Sequence, residues 1–333
     1  MSATNHHPFA QLTPDLIMDA IESQGYLSDG RFIALNSYEN RVYQVGIEEA
    51  TPIIAKFYRP ERWSDEQILE DHQFSWQLAD QELPVVPPIR NAQGKTLLTY
   101  QGFRFALYER KGGHAPELSN LEHLYALGRL LGRMHAVGAI APFQHRPTLD
   151  LAGFGTNSFE LISQHHIPES LKLAYTSLGE DLLNLMQQKL DTYCQHGSVN
   201  LIRVHGDCHP GNILWRDDHA HFVDLDDARM APAIQDIWML LSGDRQEQTI
   251  QLQELLEGYE EFYDFDMRQL QLIEIYRTLR IMHHAAWIAK RWSDPAFPIA
   301  FSWFNSERYW SEHILTLREQ FAALQEPALS IRP

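Results

Sequence analysis

Only two cysteines, Cys194 and Cys208, occur in 333 residues, which rules out a disulfide framework and agrees with a reducing compartment. No run approaches the roughly eighteen apolar residues that a membrane span requires. The opening stretch, Met1 to Phe9, is polar where a secretory signal would carry an apolar core. These absences predict a cytoplasmic chain. Basic residues are scarce too: 27 Lys and Arg stand against 44 Asp and Glu, and the net charge of −17 repels nucleic acid and anionic membrane. A basic partner would be welcomed, although a solvated acidic surface is the plainer account. Internal repeats, low-complexity tracts and a G-x-G-x-x-G phosphate loop are all missing. What is plentiful is apolar side chain, 44% of the total, enough for a substantial core and for two lobes.

The most informative stretch is His205-Gly206-Asp207-Cys208-His209-Pro210-Gly211-Asn212, followed by Phe222-Val223-Asp224-Leu225-Asp226. A phosphoryl-transfer site needs a carboxylate beside the nucleophilic hydroxyl and oxygen ligands for a hard cation. Asp207 meets the first need, and Asn212 with Asp224 meets the second. Alone, Asp207 could be a turn or cap residue, since Gly, Asp, Pro and Asn are ordinary loop chemistry. Joined, the spacing His-x-Asp-x-x-x-x-Asn is that of a protein-kinase catalytic loop, with the metal-binding Asp at the end of the next short apolar run. Zinc is the rival, because His205, Cys208 and His209 are soft ligands. Cys194 lacks a Cys-x-x-Cys partner, so His205 is expected to hold the loop by hydrogen bonds and Cys208 to be a packed side chain.

Upstream, the chain reads as a nucleotide-binding lobe. Pro14 to Glu22 is a helix with Thr13 as cap and Pro at its first position. Strands are predicted at Arg31–Leu35, Arg41–Val45, Pro52–Tyr58, Val85–Ile89, Leu97–Tyr100 and Arg104–Tyr108. Lys56 is the lone charge in the third of these, and Ile-Ala-Lys is similar to the strand whose Lys grips the α/β-phosphates. A carboxylate on the helix Asp65 to Leu78 should pair with it: Glu70 is the first choice, Glu66 the second, and plain solvated surface the alternative. Backbone groups of about Tyr108 to Arg110 would meet an adenine. Beyond Gly112-Gly113 helices take over: Leu121 to about Gly138, Glu169 to Cys194, and long patterns at Gln246–Phe262, Met267–Trp292 and Ser306–Leu324. A short helix is expected to begin at Asp236, and Pro142 to Pro168 to be irregular.

These residues resemble the aminoglycoside phosphotransferase and choline kinase branch of the protein-kinase-like fold, and within it the bacterial stress response kinase A family. The supporting stretches are Leu35 to Tyr43, Lys56-Phe57-Tyr58-Arg59-Pro60-Glu61-Arg62-Trp63, His205 to His209, Phe222 to Arg229 and Arg291 to Pro298, so the resemblance covers almost the whole chain. It implies an α+β bilobal fold, with a small antiparallel-sheet N-lobe over residues 1–110 and a larger, mainly helical C-lobe over 111–333. It also implies an ATP- and Mg²⁺-dependent Ser/Thr protein kinase that autophosphorylates and serves stress protection. Asp207 matches the catalytic Asp, Asn212 and Asp224 the magnesium ligands, Lys56 the phosphate-gripping Lys and Ser37 a nucleotide-contacting position. Asp226 would assist the metals, and Asp236 would brace the catalytic loop.

The departures from an ordinary protein kinase matter as well. Gly206 stands where an Arg would answer an activation-loop phosphate, Asp-Leu-Asp replaces Asp-Phe-Gly, and no Ala-Pro-Glu follows. Asn36, Ser37 and Asn40 are expected to cover the phosphates in place of glycine-rich backbone. Two other functions compete with a protein kinase. One is a small-molecule hydroxyl kinase of the choline, homoserine or aminoglycoside type, with Trp287, Trp292, Trp303 and Trp310 either lining a pocket for a cation or simply packing. The other is a nucleotide-binding scaffold with little turnover.

Overall fold

The computed structural model describes residues 8–331 except Asn36, so the phosphate-covering role expected of that residue lies outside the described residues. In chain order the elements are α1 (Pro14–Glu22), β1 (Ser28–Ala34), β2 (Arg41–Ile47), β3 (Ala50–Phe57), α2 (Asp65–Asp80), β4 (Leu98–Tyr100) and β5 (Phe103–Glu109). Then follow α3 (Leu121–Gly138), α4 (Asn157–His165), α5 (Glu169–Cys194), β6 (Ile202–Val204), β7 (Ile213–Arg216), β8 (His219–Phe222) and β9 (Arg229–Ala231). The chain ends with α6 (Ile234–Trp238), α7 (Arg245–Tyr259), α8 (Ile273–Lys290), α9 (Ala296–Ala300) and α10 (Glu307–Ala323). This is the α+β protein-kinase-like fold. Among the described residues no helix is long and apolar enough to cross a membrane.

The chain forms two compact units, the first comprising Met1–Pro116, Gln144–Arg146 and Pro210–Ala228. Its sheet is antiparallel in the order β1-β2-β3-β5-β4. Strand alternation sorts β3: Ile53, Ala55 and Phe57 join Ile17 and Ile21 of α1, Val45 and Phe105 in one apolar cluster. Lys56 lies on the other face, where Tyr58 clusters with Ile68 of α2 and Ala106. A capping box starts α2, with Ser64 and Gln67 exchanging side-chain and backbone hydrogen bonds. The β7–β8 hairpin turns through Asp217 and Asp218, both at positive φ (51° and 59°). It joins this unit because Phe222 N–H donates to Pro84 (2.8 Å) and Trp215 N–H to His114 (2.7 Å).

The second unit comprises Glu117–Phe143, Pro147–His209 and Arg229–Pro333. Its helices α3 and α7 approach closely at glycines: a Cβ on Gly128 or Gly132 would strike the carbonyl oxygens of Leu255 and Tyr259. Two sequence expectations need correction. Val85–Ile89 makes only isolated bridges, Val85 to Phe222 and Pro88 to Tyr108, because Pro84, Pro87 and Pro88 have no N–H to give a ladder. Residues 152–156 form a π-helical turn that runs into α4, so the segment expected to be irregular carries a helix. Leu151 and Thr156 provide no side-chain cap, which removed the usual start signal.

Candidate active site

In the first unit Lys56 is buried, with Nζ 2.6 Å from Asp224 Oδ1 and 3.4 Å from Asp226 Oδ1. Burial pulls its pKa down, but the carboxylates of Asp224 and Asp226 more than offset this, so the ammonium is held charged. Asp224 itself sits in the left-handed region (φ 59°, ψ 58°), which Asp adopts more readily than most side chains. Asn212 is set beside it by the hairpin, because β7 and β8 pair up to Ile213 and Phe222, and Val223 N–H donates to the Asn212 carbonyl at 3.0 Å. Asp224 is half-exposed and offers hard oxygen. Hard oxygen from Asp224, with an amide oxygen from Asn212, would suit a divalent cation. Asp226 fits less simply, because its Oδ2 already receives Asn40 Nδ2 (3.1 Å) and Arg62 Nη1. Burial opposes its ionisation, yet Lys56 and Arg62 hold its pKa down to about 2.

Arg62 is the residue that reasoning from sequence passed over. Besides Asp226 it binds Asp227 (3.0 Å) and approaches Glu39 at 3.8 Å. Arg59 completes the arrangement: its Nε reaches Glu39 Oε1 (3.2 Å) and donates to the Glu39 carbonyl (3.0 Å), and its N–H donates to Asn40 Oδ1 (3.0 Å). The loop before β2 is therefore held by two guanidiniums where a kinase loop usually relies on glycine. Ser37 lies in this loop, its hydroxyl donating to the Asn40 carbonyl at 3.3 Å. The Arg-x-x-Arg of Arg59 and Arg62, directly after the Lys56 strand, was the signal that could have found them.

Glu70 does not pair with Lys56. Its carboxylate accepts the backbone N–H groups of Gln144 (2.6 Å), His145 (2.8 Å) and Arg146 (2.9 Å), which hold its pKa below the usual range despite partial burial. Arg146, fixed in this way, donates to the carbonyls of Asp226 and Ala228 and to that of Gln67 (3.0 Å). Glu70 therefore supports the Asp226–Ala228 segment indirectly, through Arg146. Glu66 is exposed. The buried acid of α2 is Asp71, one position and about 100° further round the helix. Burial pushes its pKa up to about 7 against the opposing pull of Arg146 and Lys56. Choosing Glu70 by spacing failed because a rotation of one residue decides which carboxylate faces inward.

In the second unit Asp236 anchors the loop that carries His205, Gly206 and Asp207. Fully buried, it accepts His205 N–H (2.7 Å), Gly206 N–H (2.9 Å) and His135 Nε2 (3.1 Å). These donors, His135 foremost, keep it ionised against burial. The other ring nitrogen of His135, Nδ1, lies 2.8 Å from the Tyr259 hydroxyl, so the imidazole is held from both sides. Gly206 adopts φ 82°, so the missing kinase Arg is also a conformational requirement. Cys208 is buried and its thiol is pushed well above its ordinary pKa by burial, so it packs as a neutral thiol. Asp207 is three-quarters buried, one carboxylate oxygen bonded by Arg280 Nη1 and the other 3.6 Å from His209 Nε2. Trp310 is fully buried amid Tyr175, Phe304 and Tyr309, as core packing requires.

The phosphotransferase enzyme family model matches residues 31–273. Stress response kinase A of Shigella flexneri is 46% identical over 98% of this chain and 97% of its own. Serine/threonine protein kinase RdoA of Salmonella typhimurium is 44% identical over 99% of this chain and 98% of its own. Among solved structures, an amicoumacin kinase in complex with AMP-PNP, Ca²⁺ and Ami superposes with TM-score 0.69 at 19% identity, covering 93% of this chain and 94% of that one. A microcompartment-associated aminopropanol kinase superposes with TM-score 0.67 at 17% identity, covering 92% and 100%. Both are likenesses of fold. This chain belongs to the phosphotransferase enzyme family and, within it, to the stress response kinase A family.

Proposed function

We propose that this phosphotransferase uses ATP with Mg²⁺ to phosphorylate Ser or Thr hydroxyls of proteins, itself included, in the cytoplasm and in a stress-protective role. The observation that carries this reading is the buried, charged Lys56 held against the half-exposed carboxylate of Asp224. Residues 1–110 act as the nucleotide lobe and 111–333 as the acceptor lobe. Backbone groups of 108–110 meet the adenine, and Lys56 and Ser37 meet the phosphates. Asp224 and Asn212 would hold Mg²⁺, which when bound would offset the negative charge of the ATP phosphates. Asp207 orients the acceptor hydroxyl and takes its proton as the hydroxyl oxygen bonds to the γ-phosphorus. The bond from that phosphorus to the bridging oxygen breaks, and ADP leaves.

The names of the relatives, stress response kinase A and serine/threonine protein kinase, favour a protein acceptor. The fold likeness to amicoumacin and aminopropanol kinases favours a second reading, a small-molecule hydroxyl kinase. Incubation with labelled ATP and Mg²⁺, with and without a generic protein acceptor and a metabolite panel, separates the two. Label on Ser or Thr of protein supports the first reading, and label confined to a metabolite overturns it.

A further inference from the structure

The carboxylate of Asp207 meets basic side chains. Arg280 bonds one oxygen and His209 approaches the other, both side chains being 40% exposed. Arg280 opens a face of α8 continued by His284 and Trp287, at the spacing that aligns side chains along a helix, with Arg291 directly after the helix end. The rings of His284 and Trp287 stack at 5.8 Å, and the Arg291 guanidinium lies 5.4 Å over the Trp287 ring. A guanidinium has five N–H donors in a fixed fork, and the Asp207 contact leaves Arg280 donors for a second partner.

From this we infer that Arg280 is a specificity-determining residue, recognising an anionic group, carboxylate or phosphate, close to the acceptor hydroxyl. The inference rests on the protein-acceptor reading and names its substrate class: a Ser or Thr flanked by Asp, Glu or a phosphorylated residue. Arg280 touches the carboxylate that receives the proton, so the anion it binds lies roughly 5 to 7 Å from the hydroxyl, a span of one or two extended residues. A cationic acceptor would bring like charge against Arg280. The chain's overall charge of −17 attracts basic partners at long range, but this local cation selects the opposite at the reacting group.

The test uses the full chain, Mg-ATP and an oriented peptide library with one Ser or Thr, each flanking position in turn set to Glu, phosphoserine, Ala or Lys. Wild type should show kcat/KM about tenfold higher for an acidic or phosphorylated neighbour than for Lys, the difference lying in KM. Arg280→Gln should erase the preference, Arg280→Lys should restore part of it, and Arg280→Glu should reverse it. A preference that survives Arg280→Gln while kcat falls equally for all peptides would make Arg280 a positioning residue for Asp207 and overturn the inference. So would a wild-type preference for Lys, or none. Phosphorylation of no peptide at all would overturn the protein-acceptor reading itself, a result distinct from phosphorylation without preference.

Discussion

Lys56 and Asp224 form one ion pair but differ in what their loss would expose. Asp224 is half-exposed, so Asp224→Asn should leave the melting temperature within a few degrees of wild type. The same change should cut ATP turnover by about a hundredfold or more, by weakening the metal site. Lys56→Ala should lower both, because buried Asp226 would lose one of its two counter-charges and keep only Arg62, at a cost of about 1–2 kcal/mol. Melting curves and turnover of the two variants side by side check this. Equal melting losses would mean that Lys56 and Asp224 contribute alike to the fold. At this scale the positions proposed to react stand out in the sequence, since the spacing of Asp207, Asn212 and Asp224 and the lone charge in an apolar strand are visible in one dimension. Arg62, Arg146, Asp71 and Arg280 were not, because each acquires its partner from sequence-distant residues.

The elements explain why some of the fold could be read in advance. Helix α1 announces itself by Thr13 and Pro14, α2 by its capping box and α3 by Leu124, Leu127, Leu131 and Met134, all buried at helical spacing. The strand predicted at Val85–Ile89 and the overlooked α4 failed for local reasons, prolines in one case and a missing cap in the other. The glycine contacts of α3 with α7 concern backbone approach, which no periodicity reports. Gly132→Ala should therefore destabilise the protein by about 1–3 kcal/mol in denaturant unfolding, although alanine is the better helix former. A stabilising effect would show that the two helices can separate freely. The loop before β2 gives a second element-level prediction. Arg62→Gln removes the ion pairs to Glu39, Asp226 and Asp227, and the Michaelis constant for ATP should rise about tenfold, a loss of about 1.4 kcal/mol. An unchanged constant would mean that the loop holds its shape without the guanidinium.

Across the whole molecule, acid should act through buried neutral imidazoles in both units. Burial lowers the pKa of His72 to about 3 and that of His313 to about 4, from an ordinary value of 6.5. His72 is held neutral between the Tyr58 hydroxyl (2.7 Å) and Thr96 Oγ1 (2.8 Å). A depressed histidine pKa means that the unfolded chain takes up the proton first. The stabilisation is thus complete above pH 6.5 and is lost as pH falls toward the folded values. Unfolding free energy should fall between pH 6.5 and 4, and His72→Gln should reduce the slope by about 1.4 kcal/mol per pH unit. An unaltered slope would place the acid sensitivity elsewhere. The central claim is that Asp207 is the base of an ATP-dependent transfer to a protein hydroxyl, and it is tested most directly by comparing wild type with Asp207→Asn. Mg-ATP binding is measured by calorimetry and phosphate incorporation by site mapping after incubation with Mg-ATP. The account predicts near-equal ATP affinity and phosphorylation of Ser or Thr slowed by about 10²–10⁴-fold in the variant. Undiminished phosphorylation, or loss of ATP binding together with activity, would contradict it.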